Sequence, residues 1–349
     1  MTDPLLSVRD LRAHYSTRRF LIDWVRRRPR RVVRAVDGVS LEVREGEILA
    51  LVGETGCGKT STIQTIIGAN PATAGQVVVD GRDVTRLSGR RLREVRRITQ
   101  MIFQDPYESL NPRLRIRKTV EEPLRVHQVV KSRGERRRLA SEALERVGLT
   151  PAELFVDRFP HELSGGQRQR VAIAAALILN PRLLLADEPV SMLDVSIRAG
   201  VLNVIDGLRR ERRMAVVLVT HDLSTAAYYA DQIAVMYLGR IVEEGPTADV
   251  LRNPQHPYTQ ALLSVVPKTD PRDRFVPRVL EGETPNPADV PAGCRFHPRC
   301  PVAVSECKSV DPVLSPPQAQ HEPGHRVACL LTQRAERENG REVARATRS

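Results

Sequence analysis

The chain has 349 residues and a formal net charge of +12, with 54 Lys and Arg against 42 Asp and Glu. Because a single hydrophobic core stops growing at about 250 to 300 residues, this length predicts one large domain and a smaller one. Hydrophobic residues make up 41% of the chain and aromatic residues only 4%, which favours an aliphatic α/β core.

The sequence offers no candidate for a membrane span or an export signal. Its longest apolar run, residues 171–179, is shorter than the roughly 18 residues that a span needs. The start Met1-Thr2-Asp3-Pro4 lacks the charged and apolar regions of a signal peptide, so we expect a cytosolic location.

Two strands are predicted before the first motif, at residues 5–8 and 39–43. Between them, residues 18–34 carry eight arginines around a small apolar patch. We expect this segment to be a solvated insertion between strands. An amphipathic element on anionic lipid and a basic arm on a partner are the alternatives.

Residues 53–60 read GETGCGKT, after an apolar strand at 48–52 and before a predicted helix at 61–67. This G-x-x-x-x-G-K-S/T pattern predicts a loop whose backbone N–H groups hold phosphate. Lys59 is expected to reach the β- and γ-phosphates, and Thr60 to offer its hydroxyl to Mg²⁺. The predicted nucleotide-binding residues here are Gly53, Glu54, Thr55, Gly56, Cys57, Gly58, Lys59, Thr60 and Ser61.

Cys57 allows two interpretations. A helix N-terminus lowers the pKa of a nearby thiol, so Cys57 beside bound phosphate could be ionised and oxidisable. The interpretation that we prefer is a tolerated small side chain.

Further along, strands are predicted at 76–79 and 98–103, the second ending at Gln104. Residues 105–165 then read as a helical insert, with apolar residues at helical spacing in 133–147. Strands at 183–186 and 216–219, each separated by a helix-length segment, predict a parallel sheet. The strand at 183–186 ends in two carboxylates: Asp187 is predicted to hold Mg²⁺, and Glu188 to orient or deprotonate the attacking water.

Residues 163–167 read LSGGQ and open a helix predicted at 171–179. Ser164 can cap this helix, and the two glycines allow close approach of an anion. With this motif the chain resembles an ATP-binding cassette (ABC) protein. The resemblance implies a P-loop NTPase (RecA-like) α/β cassette with a helical subdomain at about 105–165, and ATP with Mg²⁺ as its ligands.

In that family two cassettes pair head to tail, and each ATP lies between the loop of one subunit and the signature of the other. The resemblance therefore assigns a role in the partner's site to Asp194 and to the signature residues Ser164, Gly165, Gly166 and Gln167. Met192 stands where the family usually has Ala.

Three further residues match family positions. His221 follows a strand and matches the switch histidine that contacts the γ-phosphate. Gln104 matches the glutamine that ligates Mg²⁺ and couples the site to membrane subunits. Tyr15 matches the aromatic residue that stacks on adenine. The predicted catalytic residues are thus Glu188, His221 and Gln104, and the predicted Mg²⁺ ligands are Thr60, Gln104 and Asp187.

Two segments resemble bacterial oligopeptide and dipeptide importers: QDPYESLNPR at 104–113 and NPQHPYTQALL at 253–263. The implied function is the ATPase subunit of such an importer, peripheral on the cytoplasmic face of the inner membrane. Its implied partners are a second ABC ATPase subunit, identical or not, and two membrane-spanning permease subunits. An extracytoplasmic solute-binding protein would act indirectly. Nickel, a sugar or a modified peptide are the alternative solutes.

Four of the five cysteines lie near the C-terminus, at Cys294, Cys300, Cys307 and Cys329. Their spacing matches neither the paired C-x2-C zinc pattern nor a ferredoxin pattern. The residues alone leave iron-sulfur and Zn²⁺ open. Similar importers carry a 4Fe-4S cluster here, which makes iron-sulfur the first expectation, zinc the second and unliganded thiols the third.

The predicted organisation is a nucleotide-binding domain at 1–265, a cysteine-containing extension at 266–331 and a disordered tail at 332–349. The net charge of +12 is compatible with one alternative function, that of a soluble ABC ATPase that acts on nucleic acid. We expect no nucleic-acid partner, because no basic stretch is interleaved with aromatic residues for base stacking.

Overall fold

The computed structural model describes residues 3–16, 32–105, 110–191, 193–265, 280–316 and 324–333. The predictions for Met192, for most of the arginine-rich segment (17–31) and for most of the tail (334–349) lie outside these described residues.

The strands in chain order are β1 (Leu6–Ser16), β2 (Val32–Val43), β3 (Ile48–Val52), β4 (Ala74–Val79), β5 (Arg82–Asp83), β6 (Thr99–Ile102), β7 (Leu183–Asp187), β8 (Ala215–Thr220), β9 (Gln232–Tyr237), β10 (Arg240–Pro246) and β11 (Arg326–Val327). The helices are α1 (Lys59–Ile66), α2 (Gly89–Ile98), α3 (Ile116–Val126), α4 (Arg133–Arg146), α5 (Gly165–Leu177), α6 (Val195–Arg212), α7 (Leu223–Tyr229), α8 (Thr247–Arg252) and α9 (Pro257–Ser264). None of the helices in the described ranges combines the length and apolar character that crossing a bilayer requires.

The main sheet has seven strands in the order β11-β10-β9-β3-β8-β7-β6. Strands β9, β3, β8, β7 and β6 are parallel, as the alternation of strands and helices predicts. Every residue of β3, β7 and β8 is buried, because helices cover both faces of a parallel sheet. The carboxyl ends of these strands carry the predicted phosphate loop and the predicted catalytic residues.

A second, antiparallel sheet has the order β2-β1-β4-β5. Its first two strands are longer than predicted: β2 begins at Val32 instead of residue 39, and its partner β1 runs on to Ser16. Irregularities in the β1–β2 register interrupt the alternation of apolar and polar residues, so the sequence pattern did not reveal the extra length.

The helical insert consists of α3, α4 and the N-terminal part of α5, which pack on one another. The prediction of a helix at 133–147 agrees with α4 to within one residue. The predicted start of α5 at residue 171 was wrong: the helix begins at Gly165, because Ser164 caps it. The predicted strand at 98–103 was too long, since Ile98 ends α2.

The described part of the C-terminal extension packs on the cassette. Phe296, with Leu280, joins the core cluster that contains Tyr237 and Tyr258. Strand β11 pairs with β10 and so extends the main sheet. The described residues include the first two of the predicted tail, and Gln333 Nε2 donates a hydrogen bond of 2.8 Å to the Val313 carbonyl. The division at 265/266 remains a prediction.

Candidate nucleotide-binding site

The motif at 53–60 follows β3 and runs into α1, which begins at Lys59 and not at the predicted residue 61. The backbone of the motif requires glycine at two positions. Gly53 has φ 156° and Gly58 has φ 108°. A Cβ atom would lie 2.2 Å from the Met236 carbonyl oxygen at position 53, and 2.0 Å from the Ala35 carbonyl oxygen at position 58. Two neighbouring strands, β9 and β2, therefore fix the shape of the loop.

The side chain of Lys59 is folded back over the loop. Its Nζ donates hydrogen bonds to the carbonyl oxygens of Gly53 at 2.7 Å and Glu54 at 3.0 Å. Lys59 is only 5% exposed, so these carbonyls compensate its ammonium group in a buried setting. A bound phosphate would offer the same ammonium group a stronger acceptor.

Thr60 and Asp187 meet, although 127 residues separate them in sequence: Thr60 Oγ1 donates a hydrogen bond of 3.1 Å to Asp187 Oδ1. Burial raises the pKa of Asp187 to about 6, against the opposing effect of the Thr60 hydroxyl and of Lys59. A hydroxyl and a carboxylate oxygen are ligands that Mg²⁺ prefers. These two predicted Mg²⁺ ligands therefore fit the ion.

Glu188 joins the other two predicted catalytic residues. Gln104 Nε2 donates a hydrogen bond of 3.1 Å to Glu188 Oε2, and His221 Nδ1 lies 3.2 Å from Glu188 Oε1. Glu188 adopts a left-handed backbone with φ 43°, a strained conformation for a side-chain-bearing residue. Its N–H nevertheless donates to the Val219 carbonyl at 3.0 Å, which ties this strained residue to β8.

The signature residues form a second cluster at the start of α5. Ser164 and Gln167 make a reciprocal capping box, in which Ser164 Oγ accepts from the Gln167 N–H at 3.3 Å and Gln167 Oε1 accepts from the Ser164 N–H at 3.0 Å. A Cβ atom on Gly166 would lie 3.4 Å from Ile197 Cδ1, which places the signature beside the start of α6. Asp194 is the exposed N-cap residue of α6.

Two predicted contacts of the nucleotide, Cys57 and Tyr15, have side chains that are fully or partly buried. Cys57 is 1% exposed, and burial raises the pKa of its thiol despite the nearby Lys59 ammonium group. This raised pKa favours the interpretation of Cys57 as a small packing side chain. Tyr15 is half-buried on β1 and packs on the core cluster next to the loop. Its role in adenine stacking stays a prediction.

The four C-terminal cysteines lie near one another. Burial raises the pKa of the Cys294 thiol to about 11, and the neighbouring thiols of Cys307 and Cys329 contribute to the rise. Burial and the same two neighbouring thiols also raise the pKa of the Cys300 thiol. Within the described ranges, however, no three His, Cys, Asp or Glu side chains are arranged so that they could hold a metal ion.

Sequence reasoning missed the residues that surround Glu54. Arg299 and Thr284 contact its carboxylate, and the Tyr258 hydroxyl accepts a hydrogen bond of 2.9 Å from its N–H. Tyr258 belongs to the 253–263 segment, which was recognised for its resemblance to peptide importers but was given no role at the nucleotide site. Arg299 lies between Cys294 and Cys300, and only the cysteines of that segment were considered as site residues.

Comparison with known proteins places this geometry in a family. The family model described as "ABC transporter" matches residues 36–191, and the model described as "Oligopeptide/dipeptide transporter, C-terminal region" matches residues 242–307. The second match begins before the extension predicted at 266–331, so it also covers most of β10, together with α8 and α9.

Curated relatives and solved structures agree with these matches. The chain is 45% identical over 334 residues to the oligopeptide transport ATP-binding protein AppF of Bacillus subtilis, which covers 94% of this chain and 98% of the relative. It is 44% identical over 329 residues to the oligopeptide transport ATP-binding protein OppF of Salmonella typhimurium, covering 93% and 96%.

Among solved structures, the dimeric post-hydrolysis state of the ATP-binding cassette MJ0796 with ADP and Pi superposes with a TM-score of 0.62 at 30% identity. That superposition covers 69% of this chain and 98% of the other. The predicted fold class, a P-loop ABC cassette, is thereby confirmed. The chain is an ATPase of the ABC transporter family, in the branch that carries the oligopeptide/dipeptide transporter C-terminal region.

Proposed function

We propose that this chain binds and hydrolyses ATP to power an importer of dipeptides or oligopeptides. The observation that carries the proposal is the cluster of Gln104, Glu188 and His221 next to the pair of Thr60 and Asp187. The relatives named for peptide transport, which match more than nine-tenths of the chain, support the peptide part.

The chain's own residues divide the work at the phosphates. Thr60, Asp187 and Gln104 would hold Mg²⁺, which neutralises charge on the phosphate oxygens during transfer. Lys59 exchanges its two loop carbonyls for phosphate oxygens. Glu188 orients the attacking water and accepts its proton, and His221 holds the Glu188 carboxylate from the next strand.

We propose further that Ser164, Gly165, Gly166, Gln167 and Asp194 complete the nucleotide site of a second cassette. Support comes from their position in a separate cluster at the starts of α5 and α6, and from the dimeric form of the similar solved cassette. Mixing a Lys59→Ala chain with a Ser164→Ala chain tests this arrangement. A shared site restores turnover in the mixed dimer, whereas sites completed within one chain leave both variants inactive.

The permease subunits would dock on the helical insert, which would pass the motion of the ATPase to them. An open groove between β6 and α3 supports this proposal, because Phe103 and Val126 lie in it, each 46% exposed. This docking would place the chain on the cytoplasmic face of the cell membrane. The extracytoplasmic solute-binding protein would meet the permease subunits only.

We also propose that Cys294, Cys300, Cys307 and Cys329 bind a 4Fe-4S cluster, with Zn²⁺ as the alternative. The mutual effect of neighbouring thiols on their pKa values and the affinity of thiolates for both groups support it. Binding would require these side chains to rearrange, because no three of them are placed to hold a metal ion within the described ranges. Anaerobic purification decides the matter. A broad absorbance band at about 400 nm indicates iron-sulfur, and stoichiometric zinc without the band indicates the alternative. The absence of both the band and zinc would refute a metal role.

Affinity purification of the tagged chain from membranes of the cells that naturally produce it tests the importer function. Two permease subunits should copurify, and peptide should stimulate ATP hydrolysis by the reconstituted complex more than nickel or a sugar does. Recovery of DNA or ribosomes without permease subunits would refute the importer and favour a cassette that acts on nucleic acid.

A further inference from the structure

Glu54 links the phosphate loop to the C-terminal extension. Its carboxylate accepts two hydrogen bonds from Arg299, Nη1 to Oε2 at 2.8 Å and Nη2 to Oε1 at 3.2 Å. Its N–H donates to the Tyr258 hydroxyl at 2.9 Å, and its carbonyl oxygen accepts from Lys59 Nζ at 3.0 Å. One loop residue is thus held at three points, and one of them is the lysine expected to bind phosphate.

The Arg299 side chain is well fixed for this contact. It ends the short 3-10 helix His297–Arg299 and is only 9% exposed. Thr284 also takes part: its hydroxyl donates to Glu54 Oε2 and accepts from Arg299 Nη1 at 3.2 Å. A planar guanidinium with two bonds to one carboxylate is geometrically specific and stronger than an exposed ion pair.

The rings beneath this contact hold it rigidly. Tyr237, Tyr258 and Phe296 are fully buried and meet in tilted and edge-to-face contacts, with ring centroids 4.8 to 5.4 Å apart. Phe296 comes from the same turn of the extension as Arg299, and Tyr258 from α9. The aromatic cluster therefore docks the extension at the place where Arg299 reaches the loop.

The negative charge of Glu54 makes its ion pair with Arg299 important for nucleotide binding. Burial raises the pKa of the Glu54 carboxyl, but the hydrogen bonds from Arg299 and Thr284 outweigh it, so the pKa lies below its usual value. The carboxylate is thus ionised at neutral pH and lies in the loop that must accept a triphosphate. Without Arg299, this negative charge would oppose the phosphates at short range.

We propose that Arg299 is a positioning residue of the nucleotide site, which fixes the first turn of the phosphate loop through Glu54 and cancels the Glu54 charge. The inference rests on the proposed role of residues 53–60 as the phosphate loop. It makes the C-terminal extension a working part of the nucleotide site, and it assigns a function to a residue outside the cassette motifs.

The test uses the full-length chain, with Kd for a fluorescent ATP analogue and KM and kcat for Mg·ATP. Arg299→Ala should raise Kd and KM about tenfold or more, the size expected for loss of a partly buried charged hydrogen-bond pair, with kcat nearly unchanged. The double variant Glu54→Gln/Arg299→Ala should regain most of the affinity, because no unpaired carboxylate remains. A purely structural role would lower Tm without this rescue.

Arg326→Ala is the matched control, since Arg326 also joins the extension to the cassette, by an ion pair with Glu244 on β10. It should leave KM unchanged. If Arg299→Ala does not fold, Arg299→Gln replaces it with the same expectation.

Lys59→Ala separates the two levels of inference. Normal ATP binding by Lys59→Ala would refute the phosphate loop itself. Loss of binding in Lys59→Ala, together with wild-type affinity in the Arg299 variant, would overturn the role of Arg299 alone. Equal affinity of Arg299→Ala and the double variant, both weakened, would overturn the charge argument.

Discussion

His221 Nδ1 lies 3.2 Å from Glu188 Oε1, which joins the residue after β8 to the residue after β7. Gln104, shortly after β6, contacts the other carboxylate oxygen of Glu188. These three strands are neighbours in the parallel sheet, so their carboxyl ends deliver the three side chains to one edge. The cluster is a direct product of the sheet topology.

Replacing Glu188 with Gln should abolish turnover and preserve nucleotide binding. The amide keeps the size of the side chain but cannot accept the proton of the attacking water, so kcat should fall by about 10² to 10⁴-fold. Phosphate release and the Kd of an ATP analogue measure the two effects. The exposed residue Glu94, paired with Arg90 at 3.4 Å, supplies the control Glu94→Gln. Unchanged turnover in Glu188→Gln would remove Glu188 from its assigned role.

Replacing Lys59 with Ala should affect the protein even without nucleotide. The Lys59 ammonium group satisfies two loop carbonyls, so its loss should lower the free energy of unfolding by about 1 to 3 kcal/mol. ATP should also no longer raise the Tm of the variant, as ligands do when they bind the native state. The exposed Lys131→Ala serves as the control. A nucleotide-dependent Tm shift of wild-type size in Lys59→Ala would contradict the prediction.

The Cys57 thiol should be unreactive in the native protein. It is 1% exposed and its pKa is raised by burial, and both effects suppress the thiolate that alkylating agents attack. Iodoacetamide at pH 7 followed by peptide mass analysis should find Cys57 modified only after denaturation. Cys57→Ser should retain ATPase activity. Rapid native labelling that ATP prevents would restore the interpretation of a reactive thiol.

His256 should make the protein less stable in mild acid. Burial lowers the pKa of His256 to about 4, against the opposing charge of Glu243, and its Nδ1 accepts a hydrogen bond of 3.1 Å from the Tyr258 N–H. The unfolded chain binds this proton near pH 6.5 and the folded chain does not. The contribution of His256 to the free energy of unfolding is therefore fully present above pH 6.5. It falls by about 3 kcal/mol as the pH drops from 6.5 towards 4.

Urea unfolding between pH 4 and 7.5 measures this slope. His256→Asn, which keeps an acceptor near the Tyr258 N–H but does not titrate, should flatten it, whereas the exposed His161→Asn should not. An unaltered pH profile in His256→Asn would assign the slope to other groups.

The sequence predicted best the parts of the molecule that contain a contiguous motif or an uninterrupted apolar run. Strand β3 was predicted to the residue, because five apolar residues run directly into a glycine loop. Asp187, Glu188 and His221 could be singled out as candidates because each lies at or just after the carboxyl end of a buried strand. Helix α2 was not predicted, because its few apolar residues, Leu92, Val95 and Ile98, stand among five arginines and only Val95 is buried.

Pairings across long separations could not be predicted. Glu54 and Arg299 stand 245 residues apart, and nothing near either residue in sequence indicates the other. The extent of β2 was hidden for a similar reason, because its first residues are fixed by pairing with the end of β1 and not by their own apolar pattern. Tertiary partners decide both features.

The short strand β11 also protects the main sheet. Its two residues, Arg326 and Val327, pair with Glu244 and Glu243 along the outer side of β10, and His325 contacts the fully buried Glu243 carboxylate at 2.8 Å. A chain that stopped before β11 would leave the backbone of β10 open to pairing with another molecule, and a carboxylate without one of its partners. Strand β11 thus lowers the risk that this edge of the sheet pairs with another molecule.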